Sequence, residues 1–238
     1  MECQNFNKND LIMGFYRGPN LVTNGLVLSL DAGNTKSYPG SGTTWFDKSG
    51  NKYNGTLTNG PTFSSANGGS IVFDGVNDYV PLTGTISLGN TFTIVSWVNP
   101  SALGSTYNVY GCVANGSDNW FGIGGSVVNL RGTEIADINN FDVNGTTTLT
   151  TGRWYQIAAT VNVSTATVYL NGMFENSTVK AFTIGSWNAA GSNDIGRRGG
   201  INQNFFNGAI ATVQAYSRVL TAGEILQNYN ATKSRFNL

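Results

Sequence analysis

The stretch SIVFDGVNDYV, residues 70–80, sets two carboxylates, Asp74 and Asp78, four positions apart around Gly75. Ile71 and Phe73 precede them, and Tyr79 and Val80 follow. Three readings are open: a metal-binding loop, half of a catalytic carboxylate pair, or a tight turn between two strands. Asp and Gly suit a turn, because a short carboxylate bonds nearby backbone amides and glycine accepts positive φ. The spacing of Ile71 and Phe73 puts both on one side of an extended chain. The turn reading is favoured, and its recurrence along the chain decides the fold class.

Outward from this stretch the same texture repeats. Short runs rich in Val, Ile, Thr, Tyr and Phe alternate with Gly, Asn, Ser and Thr, the pattern of an all-β sandwich or barrel. Strands are predicted at 26–31, 70–75, 78–82, 91–99, 108–114, 119–125, 126–132, 153–162, 165–172 and 207–218. Asn171 and Gly172 fit a type I′ hairpin, whose two central residues need positive φ. TFTIVSWV (91–98) is apolar on both faces, as expected at the centre of a sandwich. One segment, LTAGEILQNYNATKS, has a helical pattern. Thr221 and Glu224 form a capping box, and Ala222, Ile225, Leu226 and Tyr229 fall on one face. This short C-terminal helix is expected to pack across one end of the sandwich.

The 238 residues carry 13 basic and 13 acidic side chains, a balance that gives no attraction to nucleic acid or an anionic membrane. Histidine is absent, which removes the commonest general base and zinc ligand and excludes Ser-His-Asp and Cys-His catalysis. Cys3 and Cys112 are too few for a disulfide framework, and Cys112 reads as a core residue. No run approaches the roughly 20 apolar residues of a membrane-spanning helix. The N-terminus lacks the pattern of a secretory signal, so a soluble protein is expected, either cytosolic or released by some route other than secretion. Residues 1–24 fit no strand and are assigned to an N-terminal arm ahead of one domain, residues 25–238. Within the arm Phe6, Leu11, Ile12, Phe15 and Tyr16 are candidate partner contacts, since aromatic and aliphatic groups gain most from docking.

GLVLSLDAGN (25–34), WFDKSGNKYNGTLTNGPTF (45–63), SIVFDGVNDYVPL (70–82) and TFTIVSWVNP (91–100) are followed by GRWYQIAATVN (152–162), TVYLNGMFE (167–175) and FNGAIATVQAYSRVLTAGEI (206–225). In this order they resemble the laminin-G-like branch of the concanavalin A-like lectin/glucanase superfamily, over about residues 24–232. The resemblance implies a jelly roll of two antiparallel sheets, with SIVFDGVNDYV as a hairpin linking two inner strands. Glucanases of the superfamily place closely spaced carboxylates on one strand face, as retaining hydrolysis requires. Of Glu2, Glu134, Glu175 and Glu224, none has a carboxylate two or four residues away, and Glu134 with Asp137 would face opposite sides of a strand. No catalytic residue is expected, and the protein is read as a non-enzyme. Many relatives bind calcium between an Asp in a D-x-S-G loop and acidic residues on the last strand. Asp47 matches the first element, but Asn207, Ala211 and Thr212 stand where the acids belong, so neither a metal nor another cofactor is expected. Trp120 and Trp187, beside loops, are the candidate glycan contacts.

Two roles fit these features. A lone sandwich with an extra arm, no secretory signal and no catalytic constellation is similar to external components of tailed-phage particles. The first expectation is therefore a virion structural protein, such as a capsid decoration. It would join the particle in the host cytoplasm, with capsid or other virion proteins, or further copies of itself, as partners. The alternative is a carbohydrate-binding or adhesion module of a bacterial cell surface, with a surface glycan as partner.

Overall fold

The computed structural model describes residues 19–114, 117–133, 140–180, 187, 192–200 and 202–238. The arm residues Phe6, Leu11, Ile12, Phe15 and Tyr16, together with Cys3, Glu2, Glu134 and Asp137, lie outside the described residues. In chain order the strands are β1 Leu26–Asp31, β2 Thr44–Trp45, β3 Gly55–Thr56, β4 Thr62–Ser64, β5 Ser70–Asp74, β6 Val80–Pro81, β7 Thr91–Pro100 and β8 Ser105–Ala114. They continue with β9 Ser117–Gly125, β10 Val127–Thr133, β11 Asn140–Asn144, β12 Tyr155–Asn162, β13 Thr165–Leu170, β14 Met173–Val179, β15 Asn193–Ile195 and β16 Asn207–Tyr216. Helix α1, Ala222–Thr232, and a 3₁₀ turn, Lys233–Phe236, follow.

Among the described residues the larger sheet runs β14-β13-β12-β7-β16-β5-β4, and the smaller runs β11-β10-β9-β8-β15-β6. β1 and β5 lie end to end along one side of β16, β1 on residues 212–216 and β5 on residues 207–210. All pairings are antiparallel, as expected for the concanavalin A-like sandwich. The core between the sheets follows from alternation. Phe92, Ile94 and Val98 of β7 enter it together with Val109, Phe121 and Leu130 of the smaller sheet. Cys112 is part of this core, and burial pushes its thiol up to about 12, so it is an inert packing group.

The other face of β7, Val95 and Trp97, is apolar because a second layer covers it. Helix α1 lies on the outer face of the larger sheet, not across one end of the sandwich. Ile225 clusters there with Val22, Val95, Ala158, Tyr169 and Tyr216, and Tyr229 stacks on Trp97 with ring centroids 5.7 Å apart. The capping box is present: Thr221 Oγ1 accepts from Glu224 N, and Glu224 Oε2 accepts from Thr221 N. Leu226, expected on the buried face, is 38% exposed, and Asn228 is buried in its place. Asn228 is a clasp. Its Oδ1 accepts from Val22 N at 2.8 Å and its Nδ2 donates to Tyr216 Oη at 3.0 Å, while Tyr216 Oη donates to Val22 O. Val22 is thus fastened to the domain, which begins before residue 25.

SIVFDGVNDYV is a crossover and not a hairpin. β5 pairs with β16 and β4 in the larger sheet, whereas β6 pairs with β15 in the smaller one. Tyr79 exchanges backbone bonds with Thr58, at 2.9 and 3.2 Å, and this draws the chain away from β5. Ile71, Phe73 and Val80 all reach the core, from opposite walls. The turn chemistry is as expected. Asp74 Oδ1 accepts from Val76 N and Asn77 N, and Asp78 Oδ2 accepts from Asp74 N. The Val76 amide leads in holding the Asp74 carboxyl below its usual range, and burial raises that of Asp78.

Candidate functional site

The carboxylates are the first place to look for chemistry, and most are occupied by backbone. Asp47 is 8% exposed. Its Oδ1 accepts from Ser29 N at 2.9 Å and Ser49 N at 2.8 Å, and its Oδ2 accepts from Ser49 Oγ at 2.7 Å and Tyr53 N at 3.1 Å. Four donors take the lone pairs that a cation would need. On β16, Ala211 is buried beside Phe236, and Thr212 Oγ1 accepts from Trp97 N. Glu175 accepts from the amides of Thr146 and Thr147, pinning their loop, and Glu224 is held by the capping box and Arg218. Among the described residues no group of three or more His, Cys, Asp or Glu side chains could hold a metal.

The candidate glycan contacts Trp120 and Trp187 are both enclosed. Trp187 has no exposed surface and lies in the core against Phe92 and Tyr110, with centroids 4.8 and 6.2 Å away. Trp120 belongs to the outer face of the smaller sheet, in the row Asp142, Arg131, Trp120, Gly111, Asp194. It is 5% exposed. On one side stands Arg131, paired with Asp142 at 2.8 Å. On the other, the backbone of residues 197–199 passes so close over Gly111 that a Cβ there would collide with it. Neither ring can stack on a sugar from solvent in this arrangement.

Of the five tryptophans, Trp45, Trp97, Trp120 and Trp187 are buried and Trp154 alone is half-buried. Trp154 immediately precedes β12 on the outer face of the larger sheet. Its indole Nε1 donates to Asn67 Oδ1 at 3.2 Å, and its ring leans on Phe236 with centroids 4.6 Å apart. Phe236 in turn stacks on Trp97 at 4.2 Å, so the ring is held by a column of aromatics. The 3₁₀ turn carrying Phe236 is itself tied down by Arg235, which donates to Asn67 O and Gly69 O and pairs with Asp31 at 2.6 Å. Between these parts lies an open cleft of about 320 Å³ lined by Arg153, Trp154, Tyr155, Asn171 and Phe236, with Gly152 and Leu238 at its rim. Asn171 reaches it from the β13–β14 hairpin, where Asn171 and Gly172 have φ of +50° and +80°, as the type I′ turn demands.

A second cleft, of about 260 Å³, lies by Tyr38 and Phe63. Its Tyr38 hydroxyl already donates to Gly42 O at 2.7 Å, and its walls are mostly backbone and small residues. It offers few side-chain groups for recognition. The Trp154 cleft combines a supported aromatic ring with polar side chains in a concave site at the lower end of ligand size.

The chain belongs to the concanavalin A-like lectin/glucanase superfamily, whose laminin-G-type family model matches residues 74–226. The fold is that of a lectin-like binding domain. Similar solved structures include the binding domain of Paraclostridial Mosquitocidal Protein 1, at 19% identity and TM-score 0.66, covering 87% of this chain and 52% of that one. The binding domain of botulinum neurotoxin DC in complex with SialylT matches at 16% identity and TM-score 0.66, covering 88% and 52%. Domain 4 of AbnA, a GH43 extracellular arabinanase from Geobacillus stearothermophilus, in complex with arabinotriose, matches at 17% identity and TM-score 0.61, covering 86% of this chain and 98% of that domain. The chain spans about half the length of the toxin binding domains and nearly the whole of the arabinanase domain. No curated protein sequence matches it.

Proposed function

We propose that the protein is a non-catalytic glycan-binding domain that holds its ligand in the Trp154 cleft. The observation that carries this reading is the ring of Trp154, half-buried and backed by Phe236 in an open cleft. An aromatic face fixed in this way gives the apolar side of a sugar ring a flat partner at low entropic cost. Asn171 and Arg153 at the edges supply the hydrogen bonds that orient a ligand. Two similar structures were determined with sugars, arabinotriose and SialylT, which supports the class of ligand. A carbohydrate-binding role at a surface replaces capsid decoration as the primary reading, because it uses a site of this domain and needs no partner protein. A cell surface and a particle exterior both present such a domain to glycans.

The test is a glycan-array screen followed by titration calorimetry on the best ligand. Trp154→Ala is expected to weaken binding at least about tenfold, the loss of a central aromatic contact, with the far-ultraviolet spectrum unchanged. Binding that survives Trp154→Ala at full strength would overturn the assignment to this cleft.

A further inference from the structure

The reading above leaves the chemical class of sugar open, and the polar groups of the cleft bear on it. Free neutral sugars present hydroxyls that both donate and accept, so a site for them offers both kinds of group. The side chains here do not. Asn171 Oδ1 already accepts from Gln156 N at 3.0 Å, leaving its Nδ2 without a partner among the described residues. Tyr155 Oη is already bonded to Thr150, by its backbone N and its Oγ1, both at 3.0 Å. Arg153 is exposed at the rim, with no ion pair or hydrogen bond to any described residue. No side-chain carboxylate lines the cleft, and Leu238, whose main-chain carboxyl end does, makes no ion pair with Arg153. Lys233, whose ammonium sits 5.3 Å from the Tyr229 ring centroid, adds positive charge on the 3₁₀ turn that supplies Phe236.

The contrast with the other arginines is informative. Of the other described arginines, Arg131, Arg197, Arg218 and Arg235 each hold a carboxylate of this chain, and Arg198 donates to Gln203 Oε1 at 3.1 Å. In a chain of 13 basic and 13 acidic residues, a guanidinium without a partner among the described residues, beside a supported indole, is positioned for an acid from outside. We infer that the cleft selects an anionic sugar, with the ring on Trp154 and its carboxylate or sulfate received by Arg153 and Asn171 Nδ2. This rests on the glycan-binding reading and adds the charge of the ligand to it. A guanidinium takes a planar carboxylate through two parallel N–H bonds, which makes a uronate the better fit of the two acids.

The experiment titrates the intact protein with oligogalacturonate, with a sulfated galacto-oligosaccharide of equal length, and with the neutral galacto-oligosaccharide. The expected result is at least about tenfold tighter binding of an anionic ligand than the neutral one, the scale of one charge-assisted hydrogen-bond pair. Arg153→Ala should reduce the anionic ligand to the neutral level, and the preference should shrink as salt rises. Arg153→Lys should restore part of it if charge dominates, and little if the planar fork does. Equal affinities that still depend on Trp154, or a preference that survives Arg153→Ala, would overturn the inference while leaving the cleft as a glycan site. Absence of binding to all three and to the array would overturn both.

Discussion

The Trp154 cleft and the Trp120 row use the same residue types to opposite ends. Each sets a tryptophan beside an arginine on the outer face of a sheet. Around Trp120 the charges are spent within the molecule: Arg131 pairs with Asp142, and Arg197 holds Asp194 at 2.7 Å while its guanidinium lies 3.4 Å from the Tyr79 ring centroid. The ring is covered, and the nearby carboxamide of Asn108 is buried without a partner among the described residues. Around Trp154 the ring is open on one side and Arg153 has no partner among the described residues. The difference teaches that a Trp-Arg neighbourhood marks a site only when its ring is open to solvent and its charge has not already been paired by the chain itself.

The comparison can be broken most severely at Trp120. If the ring is a packing element, Trp120→Ala should cost about 3–5 kcal/mol, the range for truncating a buried large aromatic. Urea denaturation measures it. Glycan affinity of the folded fraction should stay at its wild-type value, and a loss of affinity with little loss of stability would reverse the two assignments. A smaller effect concerns the helix that leads into the turn carrying Phe236. The Arg218 hydrogen bond, with help from the capping box, holds the Glu224 carboxyl at about 2, against an ordinary value of 4.5. Its stabilisation is therefore complete above about pH 4.5 and lost as the pH falls through 2. Glu224→Gln should lower stability by about 1 kcal/mol at pH 7, and the gap in melting temperature from wild type should close between pH 4.5 and 2. A gap that does not change with pH would mean that the ionised pair contributes nothing. The smallest effect is at Arg131. Its pair with Asp142 is solvent-exposed at 30% and 38%, so Arg131→Ala should cost less than about 1 kcal/mol and leave binding intact. A loss of binding there would place the ligand on the smaller sheet.

How much could be read from the residues alone varied with burial. β1 coincides with its predicted range, and β7 differs by one residue, because both alternate or are apolar throughout over a full strand. β14 went unread: Met173, Phe174 and Val179 are exposed on an edge strand whose pattern has no buried period. β15 is three residues inside a Gly- and Ser-rich stretch, too short to carry a period. The crossover at residues 74–80 has the same local turn chemistry as a hairpin, and only the pairing of Tyr79 with Thr58, 21 positions earlier in the chain, distinguishes the two. The tryptophans show the same limit. Trp120 and Trp187 lie near loops in the sequence, but their exposure depends on what folds over them. The available hint for Trp154 was its place just ahead of β12, after Gly152 and Arg153, where a sheet ends and its rim begins.

The position of β16 has a consequence for how the protein is made. This strand lies between β7 on one side and β1 and β5 on the other, yet it follows all three of them in the chain. Until residues 207–216 emerge, β1, β5 and β7 lack the partner that joins them, and three open strand edges wait on a growing chain. The larger sheet therefore closes only once residues 207–216 have been made, through contacts such as Leu26 with Tyr216. Such distant pairing makes folding slow and leaves the nascent chain open to mispairing with its neighbours on the same messenger. Chains truncated before residue 207 should be cleared or aggregate, whereas loss of residues beyond the helix removes the cleft wall and leaves the sheet able to close.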